Sequence, residues 1–283
     1  MKSDYVPPKL MRLYNRIRCN RFLYYFGEFS SWEEACKASE KYGDSYQAEN
    51  IINSVIAATN KVRTGEALYE QDGVAFYKEN NNWELLASFF YMLSNHEHMN
   101  VCDLGGSLGS TYFRYRNLLP MERLNWNVIE QKHYVDYGIA NIPEIKFHYS
   151  VEDCFSFLKD KYKTLTGGGY AILLSSVLPY LDDPYAMLDR IIKQKPEYII
   201  IDETVFNLDD TESEKIVLQH VPASIYEATY PSHIFSRNKL VNYINNGGYE
   251  IIFDWPYREG SIPVKTTFGF KHTINRGFLF RRK

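Results

Sequence analysis

The run Asn100-Val-Cys-Asp-Leu-Gly-Gly-Ser-Leu-Gly109 decides the fold. Val101, Cys102 and Leu104 suit a short parallel strand covered on both faces. Gly105 and Gly106 allow a tight backbone turn around Ser107, and Gly109 lets the following helix pack closely. The helix start then offers free N–H groups to an anionic ligand group. Asp103 discriminates among glycine loops of this kind. A pyrophosphate gains nothing from a carboxylate there, whereas a ligand carrying an ammonium or a sulfonium does. Gly-Gly-x-x-Gly spacing alone also fits an ordinary strand-to-helix turn, so the units that follow carry the decision.

Leu124-Asn-Trp-Asn-Val-Ile-Glu130 reads as a second apolar strand that ends on an acid. Glu130 stands where a carboxylate accepts both ribose hydroxyls of a nucleoside, the plain alternative being a solvated strand end. A third strand, 145–149, leads into Ser150-Val-Glu-Asp153, a capping-box-like start for a helix over 151–161. A fourth strand, 170–175, flows into Ser175-Ser-Val177, and Asp183 with Pro184 starts the next helix. Glu197-Tyr-Ile-Ile-Ile-Asp202 is a fifth strand of nearly pure β-branched core. Strands alternating with helices give an open parallel sheet. Tyr249 to Trp255 forms a sixth strand and Arg276 to Arg282 a seventh, a hairpin-like final pair with the last strand reversed. The fold class is therefore α/β and Rossmann-like, with seven strands, the last antiparallel.

Five stretches recur in this order in one family: Phe29-Ser-Ser-Trp-Glu-Glu-Ala35, Tyr69-Glu-Gln-Asp72, Asp103-Leu-Gly-Gly-Ser-Leu-Gly109, Ser175-Ser-Val-Leu-Pro-Tyr-Leu181 and Arg276-Gly-Phe-Leu-Phe280. The chain resembles class I S-adenosylmethionine (SAM) methyltransferases from bacterial gene clusters for capsule and lipopolysaccharide, from about Phe22 to its end. The resemblance implies SAM as cofactor. It places the amino-acid end over Asp103, Gly105, Gly106, Ser107 and Gly109, and the ribose on Glu130. Ser150 and Val151 would flank the adenine, and Ser175, Ser176 and Val177 would line the reaction centre. It implies a setting in surface polysaccharide assembly more firmly than any one acceptor.

Length and composition agree. A chain of 283 residues, 45% hydrophobic, holds one large core or a core plus an appendage. No apolar run approaches the roughly 20 residues that cross a bilayer, and no signal peptide opens the sequence. Cys19, Cys36, Cys102 and Cys154 show no CxxC spacing, which together with those features gives an expectation of free thiols and a cytoplasmic setting. A net charge of −3 gives no case for nucleic-acid binding. Lys2, Lys9, Arg12, Arg16, Arg18 and Arg21 nevertheless face a single acid, Asp4, in the first 27 residues. This excess suits peripheral contact with an anionic membrane surface or a phosphorylated glycan, although a solvated helix face or arm is the commoner outcome.

Organisation is expected as an N-terminal helical accessory region, 1–97, and a SAM-binding domain, 98–283, with a substrate-side insertion over 206–236. Helices are expected over 31–39, 48–63 and 83–93, with Trp32 as a core anchor. His96-Glu-His-Met-Asn100 reads as a solvated loop before the first strand, and no metal site is expected there. Methyl transfer to a hydroxyl asks for positioning, water exclusion and a base. Asp202, Glu203, His220 and His233 are the candidate bases, His233 first because imidazole titrates near neutral pH. Tyr230 joins this catalytic set, and with Tyr226 offers a ring for sugar stacking. Ser175 and Ser176 stand where a metal-assisted mechanism would want a carboxylate, so metal-independent transfer is expected. The best reading is O-methylation of a sugar or sugar-linked, phosphorylated or neutral, group. The rival classes are a nicotinamide-dependent oxidoreductase or sugar-nucleotide enzyme, and a non-catalytic SAM-binding partner in a biosynthetic complex.

Overall fold

A computed structural model describes residues 23–42, 48–161, 168–222, 228–257, 262–266 and 269–283. The basic N-terminal cluster and Tyr226 lie outside these residues. In chain order the first elements are β1 (Tyr24–Phe29), α1 (Trp32–Ser39), α2 (Ala48–Arg63), β2 (Tyr69–Gln71), β3 (Val74–Phe76), α3 (Trp83–Asn95) and β4 (His98–Leu104). Then come α4 (Ser110–Tyr115), β5 (Leu124–Ile129), α5 (Lys132–Asn141), β6 (Lys146–His148), α6 (Val151–Lys161), β7 (Gly168–Ser175) and α7 (Pro184–Gln194). The last are β8 (Tyr198–Asn207), β9 (Lys215–Val221), β10 (Ala228–Ile234), α8 (Arg237–Asn246), β11 (Tyr249–Pro256), β12 (Pro263–Thr266) and β13 (Gly269–Arg282). Among the described residues no helix is long and apolar enough to cross a membrane.

The chain divides into two units. The larger comprises Gln47–Thr204, Arg237–Arg258 and Asn275–Lys283, and its strands run in the order β6-β5-β4-β7-β8-β13-β11. β6, β5, β4, β7 and β8 pair in parallel. β13 pairs antiparallel with β11, and the Arg282 amide donates to the Glu197 carbonyl at the foot of β8, so the last strand runs against the rest. Strand order reverses between β4 and β7. In a doubly wound sheet that reversal opens a crevice beyond the carboxyl ends of those two strands. The expected seven strands, with the last one reversed, are thus present in this unit.

Local chemistry explains the elements. β4 is buried from Met99 to Leu104 and β8 along nearly its whole length, as both-face coverage demands. Asp183 caps α7 by accepting from the Ala186 amide at 2.9 Å, with Pro184 at the first helical position. Ser150 caps α6 through the Asp153 amide at 3.1 Å, and Asn82 caps α3 through the Leu85 amide at 2.9 Å. Gly109 holds φ +93 before α4, and a Cβ there would stand 2.2 Å from Ile145 Cδ1. Gly109→Ala is expected to cost about 1–3 kcal/mol in urea unfolding, from strain plus overpacking. An unchanged midpoint would show that the loop repacks freely.

The smaller unit comprises Met1–Tyr46, Val205–Ser236 and Glu259–Ile274. Its described strands run β10-β9-β1-β12, with β12 paired to the start of β13. Tyr25, Val205, Val217 and Ile234 form its buried cluster. The division differs from the expected one at 97/98. β1 pairs with β9, so the first segment belongs with the insertion. Val55 and Val62 of α2 and Leu85 and Phe89 of α3 share one core with Val101 of β4, so these helices belong with the large sheet. The insertion itself carries two strands, β9 and β10. Trp32 is half-buried, and its ring stacks on His233, whereas Ala35 is the buried residue of α1. His98 begins β4 instead of lying in a loop, and His96 pairs with Glu197 at 2.9 Å.

Candidate active site

The glycine turn at the end of β4 supports a buried carboxylate. Asp103 is 1% exposed and accepts one hydrogen bond from Trp126 Nε1 at 3.2 Å. A Cβ on Gly106 would stand 2.6 Å from that carboxyl group, so only glycine lets the turn cover Asp103. Burial, and then the Glu130 charge, push the Asp103 carboxyl up to about 7. A buried acid with one neutral donor is poised for a cation.

Glu130 follows β5 and reaches the same turn. Its carboxylate accepts from the Gln131 amide at 2.6 Å and from the amide of Ser107. Burial raises its pKa despite these donors. The Glu130 amide donates to the His148 carbonyl at 3.1 Å, which sets the Ser150 turn beside it, with Val151 buried. Asp103, the 105–109 turn, Glu130 and Ser150 thus line one edge of the sheet.

The end of β7 meets this turn from the other side of the crevice. Val177 Cγ2 lies 2.7 Å from where a Cβ on Gly105 would stand. The Ser176 amide donates to the Asp202 carbonyl at 2.9 Å, and Ser175 Oγ donates to the Asp202 carboxylate at 3.2 Å. Ser107, Ser176 and Glu203 hold φ of 53, 54 and 46 at the ends of β4 and β7 and within β8. Each such non-glycine residue costs about 1–3 kcal/mol, and strain of this kind clusters at working sites.

Asp202 and Glu203 are adjacent in sequence but differ in surroundings. The Asp202 carboxylate accepts from Asn82 Nδ2 at 3.1 Å to each oxygen, from the Tyr257 hydroxyl and from Ser175. Burial raises its pKa against those donors, which fix its position. Among the described residues no hydrogen-bond donor reaches the Glu203 carboxylate. Burial first and the Asp202 charge second push it up to about 7, and Arg114 pulls the other way. Arg114 lies over the Tyr69 ring at 4.2 Å and donates to the Asn80 carbonyl. A carboxylate near 7 with free lone pairs is suited to proton transfer at neutral pH.

Tyr230 and His233 lie on β10 in the smaller unit. The His233 ring stacks on Trp32 at 4.9 Å and 7°, and the Tyr230 hydroxyl accepts from Gln219 Nε2 at 3.3 Å. The structure therefore assembles Asp202 and Glu203 with the glycine turn in one unit, and holds Tyr230 and His233 in the other. Asn82, Tyr257 and Arg114 are site neighbours that sequence reading passed over, and Glu70 stands in the quoted Tyr69–Asp72 stretch without a role assigned to it. Glu70 had a sequence cue: Asp72-Gly73 is a two-residue hairpin turn, with φ of 53 and 77, between β2 and β3.

No protein-family model matches the chain, and no curated protein sequence matches it. Several solved structures show distant similarity to the chain. The N-terminal domain of EvdMO1, in the presence of SAH and D-fucose, is 13% identical, with 80% of this chain and 97% of that chain covered and a TM-score of 0.44. The glycopeptide N-methyltransferase MtfA, complexed with SAM, is 10% identical over 70% and 93% of the two chains, at 0.44. The Burkholderia thailandensis 1,6-didemethyltoxoflavin-N1-methyltransferase, with bound 1,6-didemethyltoxoflavin and S-adenosylhomocysteine, is 12% identical over 100% and 93% of the two chains, at 0.39. Likeness this distant transfers no residue, and the fold assignment stands on strand order.

Proposed function

We propose that the chain is a SAM-dependent methyltransferase acting on a hydroxyl group of a saccharide. The observation that carries the reading is the buried Asp103 beneath the Gly106 turn, with Glu130 on the Ser107 amide, at the switch point of a sheet whose last strand is reversed. These residues fit SAM by their chemistry. Asp103 suits its cationic amino-acid end, Glu130 its ribose hydroxyls, Ser150 and Val151 its adenine edge, and Ser175 to Val177 the neighbourhood of its methyl. SAM supplies a methyl group already activated by a sulfonium.

The chain's own residues then have to orient the acceptor and receive its proton. Glu203 is proposed as that base in place of His233, because Glu203 belongs to the unit that holds the glycine turn, is next in sequence to Asp202, and carries a buried carboxyl raised to about 7. Asp202 acts through Glu203: its charge helps raise the neighbour's pKa, and Asn82 and Tyr257 hold it still. His233 is proposed to fasten α1 to β10 through Trp32. Tyr230 is proposed to serve β10 packing through Gln219. The saccharide acceptor and the surface-polysaccharide setting are proposed from the resemblance of the five sequence stretches, and a cytoplasmic site of action from the cysteine usage and apolar patterning of the sequence.

Calorimetry with SAM, S-adenosylhomocysteine and NAD tests the cofactor. SAM and S-adenosylhomocysteine are expected to bind; NAD binding without SAM binding would favour the oxidoreductase class. Glu130→Ala is expected to weaken S-adenosylhomocysteine by about tenfold or more, from lost charge-assisted hydrogen bonds. Wild-type affinity in that variant would remove Glu130 from the ribose. Labelled methyl transfer from SAM into cell-surface glycan precursors tests the acceptor, and labelling confined to protein or nucleic acid would refute it.

A further inference from the structure

The β2–β3 hairpin carries a buried acid that the proposed chemistry leaves without a role. Glu70 is 4% exposed. Its carboxylate accepts from the Gly73 amide at 2.8 Å and from the hydroxyl of Ser110, the first residue of α4. Among the described residues no lysine, arginine or histidine pairs with it. Removing a carboxylate from water without a cation is costly, and here burial pushes its carboxyl above the usual range, with the charge of Asp72 adding to the effect. A hairpin of six paired residues would close on its Asp-Gly turn without a buried charge.

Position gives this charge a target. Ser110 follows Gly109 directly, and its amide donates to the Gly106 carbonyl at 3.3 Å. Gly106 in turn covers Asp103. Glu70, Ser110, Gly106 and Asp103 therefore form a connected series around one turn, with acids at both ends. A primary ammonium carries three donors, which one carboxylate held by Trp126 does not satisfy alone. We infer that Glu70 is a cofactor-binding residue that takes the α-ammonium of the SAM amino-acid end opposite Asp103, which makes the hairpin part of the cofactor site. This rests on the SAM reading above.

Two ligands separate the roles. S-adenosylhomocysteine carries the α-ammonium, whereas methylthioadenosine keeps the nucleoside and thioether and lacks the amino-acid group. Glu70→Gln is expected to weaken S-adenosylhomocysteine at least tenfold by calorimetry and to leave methylthioadenosine within twofold of wild type. Glu70→Asp keeps the charge one methylene short, and is the second variant should the glutamine fail to fold. It is expected to lose several-fold in S-adenosylhomocysteine affinity alone. Unchanged S-adenosylhomocysteine affinity would overturn the assignment. So would equal losses for both ligands with a lowered melting temperature, which mark a structural hairpin acid. If the wild type binds neither nucleoside, the SAM reading itself falls, and this assignment with it.

Discussion

Asp103→Asn is expected to abolish most SAM affinity while making the ligand-free protein more stable at alkaline pH. The two halves share one cause. Asp103 is buried with one neutral hydrogen bond, and its carboxyl sits at about 7 against an ordinary value of 3.8. Between those values the folded chain holds a proton that the unfolded chain releases. Stability from this group is therefore present at low pH and declines as pH rises through about 4 to 7, because the folded state binds more protons. An asparagine keeps the shape, lets its carbonyl accept from Trp126 and carries no charge to bury. The variant should melt roughly 5 °C or more above wild type at pH 8, and level with it near pH 4. Ligand binding runs the other way. A cationic amino-acid end recovers the cost of the buried charge only if the charge exists, so the variant should bind SAM about a hundredfold or more weakly. Wild-type binding should release a proton below about pH 7, visible as a buffer-dependent calorimetric enthalpy. Equal SAM affinity in variant and wild type would remove Asp103 from the cofactor site.

The parts legible in the sequence are those where local chemistry and burial agree. β4 to β8 are runs of apolar residues bounded by glycine, proline or capping side chains. The helices over 48–63 and 151–161 fall where their periodicity places them. What escaped depends on long-range pairing. β1 contains Gly27 at φ +71 and a register shift between Phe26 and Phe29, which interrupts the alternation that marks a strand. β10 carries Pro231, tolerated because β10 lies at the end of the strand order, yet proline inside a run argues against a strand. For the site, the glycine turn, Glu130 and Ser175 to Val177 follow from position at strand ends. The gathering of Asn82, Tyr257 and Ser175 on Asp202 does not. Those residues come from a helix cap, the stretch after β11 and the end of β7, and only the tertiary fold joins them. The same fact bears on the proposed base: His233 is suited by its intrinsic pKa alone, whereas the suitability proposed for Glu203 is made by burial and by its neighbour's charge.

Glu203→Gln is expected to lower turnover by about a hundredfold or more and to leave SAM affinity within a few-fold of wild type. The glutamine preserves volume and the capacity to accept a hydrogen bond, and it removes only the site that receives a proton. Burial alone would raise a carboxyl, and the charge of Asp202 beside it raises it further, so the base titrates near 7 instead of near 4.5. Turnover in the wild type should therefore rise with pH through about 7 and level off above it, because a base works only when deprotonated. Asp202→Asn gives the companion result. It removes the like charge, so the pH midpoint should move down, toward more acidic values. Asn82 and Tyr257 lose a carboxylate partner at the same time, so some loss of melting temperature should accompany the shift. A histidine base at position 233 predicts the opposite pair of outcomes: a full loss in His233→Ala and a wild-type pH profile in Asp202→Asn. If Glu203→Gln keeps its turnover, the proton leaves the acceptor by another route and Glu203 is a structural acid. If it loses SAM affinity in step with turnover, the residue belongs to cofactor binding and the catalytic assignment fails.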